Sequence, residues 1–359
     1  MAKKVSPRRS RGRKDKGVLT PSPLLQIASG FWASKTLASA VEFDLFTRLS
    51  GKSATIEEAA KLFALHPRPA EMLLAGCAAL GLLMKRGGRY RNSPLAEEFL
   101  VRGKRHYFGG FVTMLDRRLY LPWNNLTQAL KTNRAQTWRD QPGLFEAMAA
   151  NPEEQRIFTE SMHSMSVVSG KAVARVFDFR PCRQLLDVGG GSGAYCIEAA
   201  RRYPHLRAVV FDIAPALEIA RTKIAEAGFA NRIRTCAGDF FNEALPKGSD
   251  VILLSMILHD WGPEKNCMIL KKCFEALPPG GAMIVSELMM DDEKTGPAAA
   301  ALMSLNMLIE TEGRNYTWAE YAAWLEEAGF RKILRIPFVA AGANGILTSV
   351  KPLSSPSRR

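Results

Sequence analysis

From about residue 20 to 115, apolar side chains recur three and four positions apart in an Ala- and Leu-rich stretch that opens LLQIASGFWASKTLASAVEFDLFTRL. That spacing lines one face of a helix. Thr55, followed three residues later by Glu58, is a capping-box signature and starts a new helix. The apolar run from Pro69 to Leu83 predicts a second short helix, and MKRGGRYRNS predicts a hairpin turning at Gly87-Gly88. Helix, turn, helix and hairpin together form a winged-helix pattern. Residues 140–178 read as one or two long helices that connect this part to the rest.

After Pro181 the rhythm changes to short apolar runs separated by amphipathic segments. The runs Gln184–Val188, Ala208–Ile213, Arg232–Cys236, Asp250–Leu258 and Ala282–Met290 predict strands, with helices starting near Gly193, Ala216 and Pro263. Strand and helix in alternation predict an α/β, doubly wound parallel sheet. RKILRIPF and GILTSVKP are separated only by VAAGAN, too short for a helical crossover, so this last pair is expected to run antiparallel at one sheet edge. Four regions follow: a basic arm (1–19), a winged-helix-like domain (20–115), connecting helices (116–180) and the sheet domain (181–352).

With 359 residues, 47% of them apolar, the chain can bury a large core. The net charge of +14 would suggest a nucleic-acid partner, but half of it sits in the first sixteen residues, eight Lys/Arg against Asp15. This arm has little to bury and is expected to be a solvated tail. The remaining body is nearly balanced. The helix from Pro69 to Leu83 also lacks Arg, Lys, Asn and Gln to read base edges, so nucleic acid is not an expected partner. Its apolar residues ask for a protein surface. Six scattered cysteines show no C-x-x-C pair, which predicts neither a disulfide framework nor a metal site. No apolar run reaches membrane-spanning length, and a cytoplasmic location is expected.

The strongest motif is Leu186-Asp187-Val188-Gly189-Gly190-Gly191-Ser192-Gly193-Ala194, where a strand ends and a helix begins. Glycines admit a ligand close to the backbone, and the helix start offers free N–H donors. Gly189, Gly191 and Ala194 also satisfy the dinucleotide pattern. Three acids shift the balance to S-adenosylmethionine. Asp187 would take up a positively charged amino group and repel a pyrophosphate. Asp212 ends the second strand, where an acid accepts ribose hydroxyls. Asp239 and Phe240, after the third strand, offer an adenine amine an acceptor and its ring an aromatic face. Ser255, opening S-M-I-L-H-D-W, joins Gly193 and these residues as a cofactor candidate.

LLDVGGGSGA, VVFDI, AGDFF, SMILHDW and the later EEAGF resemble the class I S-adenosylmethionine-dependent small-molecule O-methyltransferases, which include plant caffeate and flavonoid, animal hydroxyindole and bacterial polyketide-tailoring enzymes. The likeness runs from about residue 30 to 350. It implies a Rossmann-like methyltransferase sheet, an N-terminal winged-helix dimerisation domain, a homodimer and no metal.

A phenol lies about 3.5 pKa units above an ordinary histidine, so full prior deprotonation would cost roughly 5 kcal/mol. A base that removes the proton as the new bond forms avoids most of this. His259, ending the fourth strand in Leu258-His259-Asp260-Trp261, is the candidate, and the family's catalytic histidine occupies this context. Glu287 closes the neighbouring strand, where it can fix the imidazole tautomer or bond backbone amides; Asp260 could take either that part or a helix cap. Many relatives carry a second catalytic glutamate where this chain has Asn315, which can orient but not accept charge. The acceptor atom is therefore open between oxygen, nitrogen and carbon, and a homologue that binds cofactor without methylating is a further alternative. The resemblance also implies that Phe158, Met162 and Met165 face the substrate, with Asn306 and Met307 beside them.

Overall fold

The computed structural model describes residues 19–137 and 151–353. The basic arm, and residues 138–150 of the expected connecting helices, lie outside them. The N-terminal part holds α1 (Ser22–Ala28), α2 (Gly30–Glu42), α3 (Leu45–Arg48), α4 (Ile56–Phe63) and α5 (Pro67–Ala79). The hairpin β1 (Leu83–Arg86) and β2 (Arg89–Asn92) follows, then α6 (Pro94–Phe99), α7 (Gly109–Met114) and α8 (Leu126–Thr132). Thr55 accepts from the Glu58 N–H while the Glu58 carboxylate accepts from the Thr55 N–H, so the expected capping box forms. The second helix starts earlier than Pro69: His66 accepts from the Arg68 N–H and caps it, with Pro67 in its first turn. It also ends before Leu83, which already belongs to β1.

A single long helix, α9 (Pro152–Val176), leads into the sheet domain. There β3 (Gln184–Val188), α10 (Ala194–Arg202), β4 (Arg207–Asp212), α11 (Ala214–Glu226), β5 (Ile233–Ala237), β6 (Val251–Ser255), α12 (Pro263–Ala276) and β7 (Ala282–Glu287) alternate. Next come α13 (Ala298–Glu310), α14 (Trp318–Glu327), β8 (Arg331–Pro337) and β9 (Gly345–Val350). The seven-stranded order is β5-β4-β3-β6-β7-β9-β8, with β3 to β7 parallel. β9 runs antiparallel to both β7 and β8, so the last strand inserts inside and β8 takes the edge. Two apolar clusters cover the two sheet faces, the reason the central strands read as unbroken Val/Ile/Leu runs. A third cluster forms the N-terminal core.

Two strands are shorter than their apolar runs. β6 stops at Ser255 rather than Leu258 because Met256 takes a left-handed conformation (φ +55°), costly for a side chain without special support. The chain then turns into a short 3₁₀ helix, Leu258–Asp260. The support comes from β7: the Glu287 Oε1 accepts from the Ile257 and Leu258 N–H groups at 2.9 and 3.0 Å. β7 in turn ends at Glu287, three residues before Met290, and the Asn344 side chain takes over the pairing of Met289, bonding both its N–H and its carbonyl.

Candidate active site

Where β3, β4, β5 and β6 end, a cavity of about 420 Å³ opens against α9, within the range of small-molecule sites. Phe158, Thr159, Met162 and Ser166 line it from one face of α9, at helical spacing. Asp187, Gly189, Gly191, Asp212, Asp239, Phe240 and Ser255 line it from the sheet side. Gly189 has φ +68°, a conformation that favours glycine, and a Cβ there would press on the Ile257 side chain from the β6 loop. Gly193 lies outside the lining residues; its φ of +74° turns the chain into α10, and a Cβ would press on Val210.

Asp187 is almost fully buried, and its Oδ2 receives the Cys196 thiol at 3.6 Å. Burial pushes its carboxyl up to about 7, the state of an acid that lacks a cationic neighbour. The Ser255 hydroxyl is buried at the same wall and forms no hydrogen bond there, with the Tyr195 hydroxyl beside it. A buried acid met only by a thiol, and an unbonded hydroxyl, fit the ammonium and carboxylate of an amino-acid moiety. Asp212 accepts from the Gly191 and Ile213 N–H groups, both at 2.7 Å, which fixes its carboxylate at the cavity edge; burial outweighs those bonds and lifts it to about 6. Asp239 accepts from the Phe241 N–H at 2.8 Å and the Asn242 amide at 2.6 Å, so much of its capacity serves its own turn. Lys272 donates to the carbonyls of Phe240, Phe241 and Glu243 and pins that turn from behind.

His259 is buried, and its Nδ1 lies 2.6 Å from the Glu287 Oε2. Glu287 therefore does both things expected of it as alternatives, orienting the ring with one oxygen and holding the backbone turn with the other. The imidazole Nε2 is 3.6 Å from the Asp260 Oδ1, and Asp260 itself lines the cavity. Burial opposes the imidazolium, but the Glu287 and Asp260 carboxylates outweigh it and lift His259 to about 9. Burial raises Asp260 to about 7 against the pull of His259. The turn is clamped elsewhere too: Asn266 donates to the Leu258 and Trp261 carbonyls, and Tyr316 to the latter. At Gly313 a Cβ would sit 2.1 Å from the His259 carbonyl oxygen, so the 312–314 segment crosses directly over the turn.

Seven candidates lie outside the cavity lining: Gly193, His259 and Glu287, described above, and Asn315, Asn306, Met165 and Met307. Asn315 is buried, and its amide donates to the Leu288 carbonyl at 2.6 Å, which turns it into a brace of the strand end. Asn306 donates to the Glu310 Oε2 at 3.1 Å and accepts from the Trp123 indole at 2.9 Å. Met165 packs against Gly342, and Met307 is buried in α13. The motifs could not reveal Lys265, which lines the cavity, lies 4.7 Å over the Trp261 ring and pairs with Glu312 at 2.9 Å. They also missed Tyr195, one residue beyond the glycine motif. The Arg118–Glu310 pair, 3.1 Å apart and buried on both sides, escapes motif reading because its members are 192 positions apart. Among the described residues no cluster of His, Cys, Asp or Glu could hold a metal, and no helix is long and apolar enough to cross a membrane.

Comparison with known proteins identifies the family. An O-methyltransferase domain family matches residues 123–331, and an O-methyltransferase dimerisation domain family matches residues 25–102. A 3-hydroxy-5-methyl-1-naphthoate 3-O-methyltransferase of Streptomyces sahachiroi is 43% identical over 92% of this chain and 95% of its own. An N,N-dimethyltransferase of Streptomyces rimosus is 36% identical over 86% and 90%. Human N-acetylserotonin methyltransferase in complex with S-adenosylmethionine superposes with a TM-score of 0.85 at 28% identity, covering 95% of this chain and 100% of that one. The chain belongs to the class I S-adenosylmethionine-dependent O-methyltransferase family.

Proposed function

We propose that the enzyme methylates a hydroxyl of a small aromatic or polyketide-like metabolite, with His259 as general base. The observation that carries this is the 2.6 Å contact between His259 Nδ1 and Glu287, beside a cavity that Asp260 lines. S-adenosylmethionine supplies an electrophilic methyl group when bound. Asp187 and Ser255 would hold its amino-acid end, Asp212 its ribose, and Phe240 with Asp239 its adenine. The His259 Nδ1–H donates to Glu287, which leaves Nε2 to accept the proton of the acceptor hydroxyl. Glu287 stabilises the imidazolium so formed, and Asp260 orients the hydroxyl from the cavity side. Phe158 and Met162 exclude water and present an adaptable apolar wall.

Labelled S-adenosylmethionine with a panel of phenols tests the reading. His259→Ala is expected to lower kcat by about 10²–10⁴; full activity in that variant would refute the base assignment. Because only neutral imidazole can accept the proton, kcat/KM should rise with pH as His259 loses its proton toward about 9.

The likeness to the dimethyltransferase favours a nitrogen acceptor as a second reading. Nuclear magnetic resonance of the methylated product separates the two. Residues 20–115 would form the dimerisation unit of a homodimer, residues 116–180 the substrate side, and residues 181–352 the cofactor-binding unit.

A further inference from the structure

Lys265 stands in the first turn of α12 and lines the cavity together with Phe240, Phe241 and Trp261. Its Nζ lies 4.7 Å over the Trp261 ring and 5.7 Å over the Phe241 ring. Those two rings meet edge to face at 4.7 Å, as Phe240 and Phe241 do. Lys272, about two turns further along the same stripe of α12, pins the Phe240 and Phe241 carbonyls, so this helix face is fixed against the turn that carries both rings. Helix stability does not account for the Lys265 charge, because a cation in the first turn opposes the helix dipole. Nor does its ion pair with Glu312 at 2.9 Å, whose side chains are 43% and 50% exposed, since exposed pairs add little. An ammonium has more N–H donors than that one carboxylate oxygen takes up, so it can still serve a ligand.

We infer that Lys265 is a positioning residue for the cofactor, whose ammonium donates to a ring nitrogen of the adenine of S-adenosylmethionine. An ionised Asp239 only accepts, so it can serve the adenine amine, but the ring nitrogens are themselves acceptors and call for a donor. Lys265 brings one to the aromatic wall where Phe240 would meet the ring. Glu312, which also accepts from the Gly262 N–H at 3.3 Å, restrains the ammonium from swinging into solvent. A flat ring held by stacking alone can slide along the wall. A donor at its edge fixes it in its plane and so steadies the far, reacting end of the cofactor. This inference rests on the adenine placement proposed above and adds the group that fixes the ring.

The test measures, by calorimetry, the binding of S-adenosylhomocysteine and of its 1-deaza, 3-deaza and 7-deaza analogues, each with one adenine ring nitrogen replaced by C–H. The wild type should bind at least one analogue about ten-fold more weakly than S-adenosylhomocysteine, as for a hydrogen bond to a charged donor. Lys265→Met should erase that penalty, weakening S-adenosylhomocysteine by the same factor and leaving that analogue unchanged. Lys265→Arg and Glu312→Gln should both keep the penalty, the first because a donor remains and the second because only the ion pair is lost. A loss spread equally over all four ligands in Lys265→Met would overturn the inference and leave the side chain a plain part of the wall. No loss for any of them, or an effect confined to the KM of the acceptor, would overturn it as well. Full affinity in Phe240→Ala would overturn the adenine placement and the inference together, whereas the Lys265 outcomes by themselves leave the placement standing.

Discussion

Single atoms decide how this site works. Asp187 illustrates it: burial leaves its carboxyl half-protonated near neutrality, and a cationic ligand must drive off that proton. Its folded pKa is raised, so ionisation costs the free enzyme stability as pH climbs through about 7, and the ammonium of S-adenosylmethionine recovers that cost. Affinity for S-adenosylmethionine should therefore fall below pH 7. Calorimetry at pH 7 in buffers of differing ionisation heat should show proton release on binding. Asp187→Asn should abolish that release, and an unchanged release would transfer the effect to Asp212. Gly313 offers an equally local test. Its Cβ would overlap the His259 carbonyl, so Gly313→Ala should destabilise the protein by roughly 3 kcal/mol. Activity should drop further than stability explains, because the displaced backbone carries the base; thermal unfolding and kcat at a permissive temperature read the two effects separately.

Whole elements carry consequences that no residue shows. α1 has no buried residue, yet Leu24, Leu25 and Ile27 are apolar, and α2 adds Phe31 and Trp32, the latter 63% exposed. A continuous apolar surface of this kind marks an interface, and residues 25–102 match a dimerisation domain. Ile27→Asp with Trp32→Asp should convert a dimer to a monomer in light scattering, while the sheet domain keeps its secondary structure. An unchanged mass would move the interface elsewhere. The element scale also shows how far the sequence could be read. Periodicity located every strand of the sheet domain, but it ran β6 on to Leu258. Apolar residues continue there because Met256, Ile257 and Leu258 pack on other elements, and only the left-handed Met256 and the Glu287 carboxylate stop the strand.

Over the whole molecule, the two ends of the chain's logic differ in range. The glycine motif, the strand-end acids and the L-H-D-W stretch are local, because a strand end followed by a helix start can be recognised within a dozen residues. The amino-acid sequence by itself therefore determined the α/β class, the cofactor and the candidate base. What surrounds the acceptor depends on distance in space. Arg118 meets Glu310, Trp123 meets Asn306, and Gly313 crosses His259 only after α13 folds over the 3₁₀ turn. Tertiary structure also set the Asn315 amide nitrogen on the Leu288 carbonyl and placed Lys265 at the cavity. The physical reason is that backbone conformation responds to neighbours along the chain, whereas charge, burial and hydrogen-bond partners are set by groups that the fold brings together.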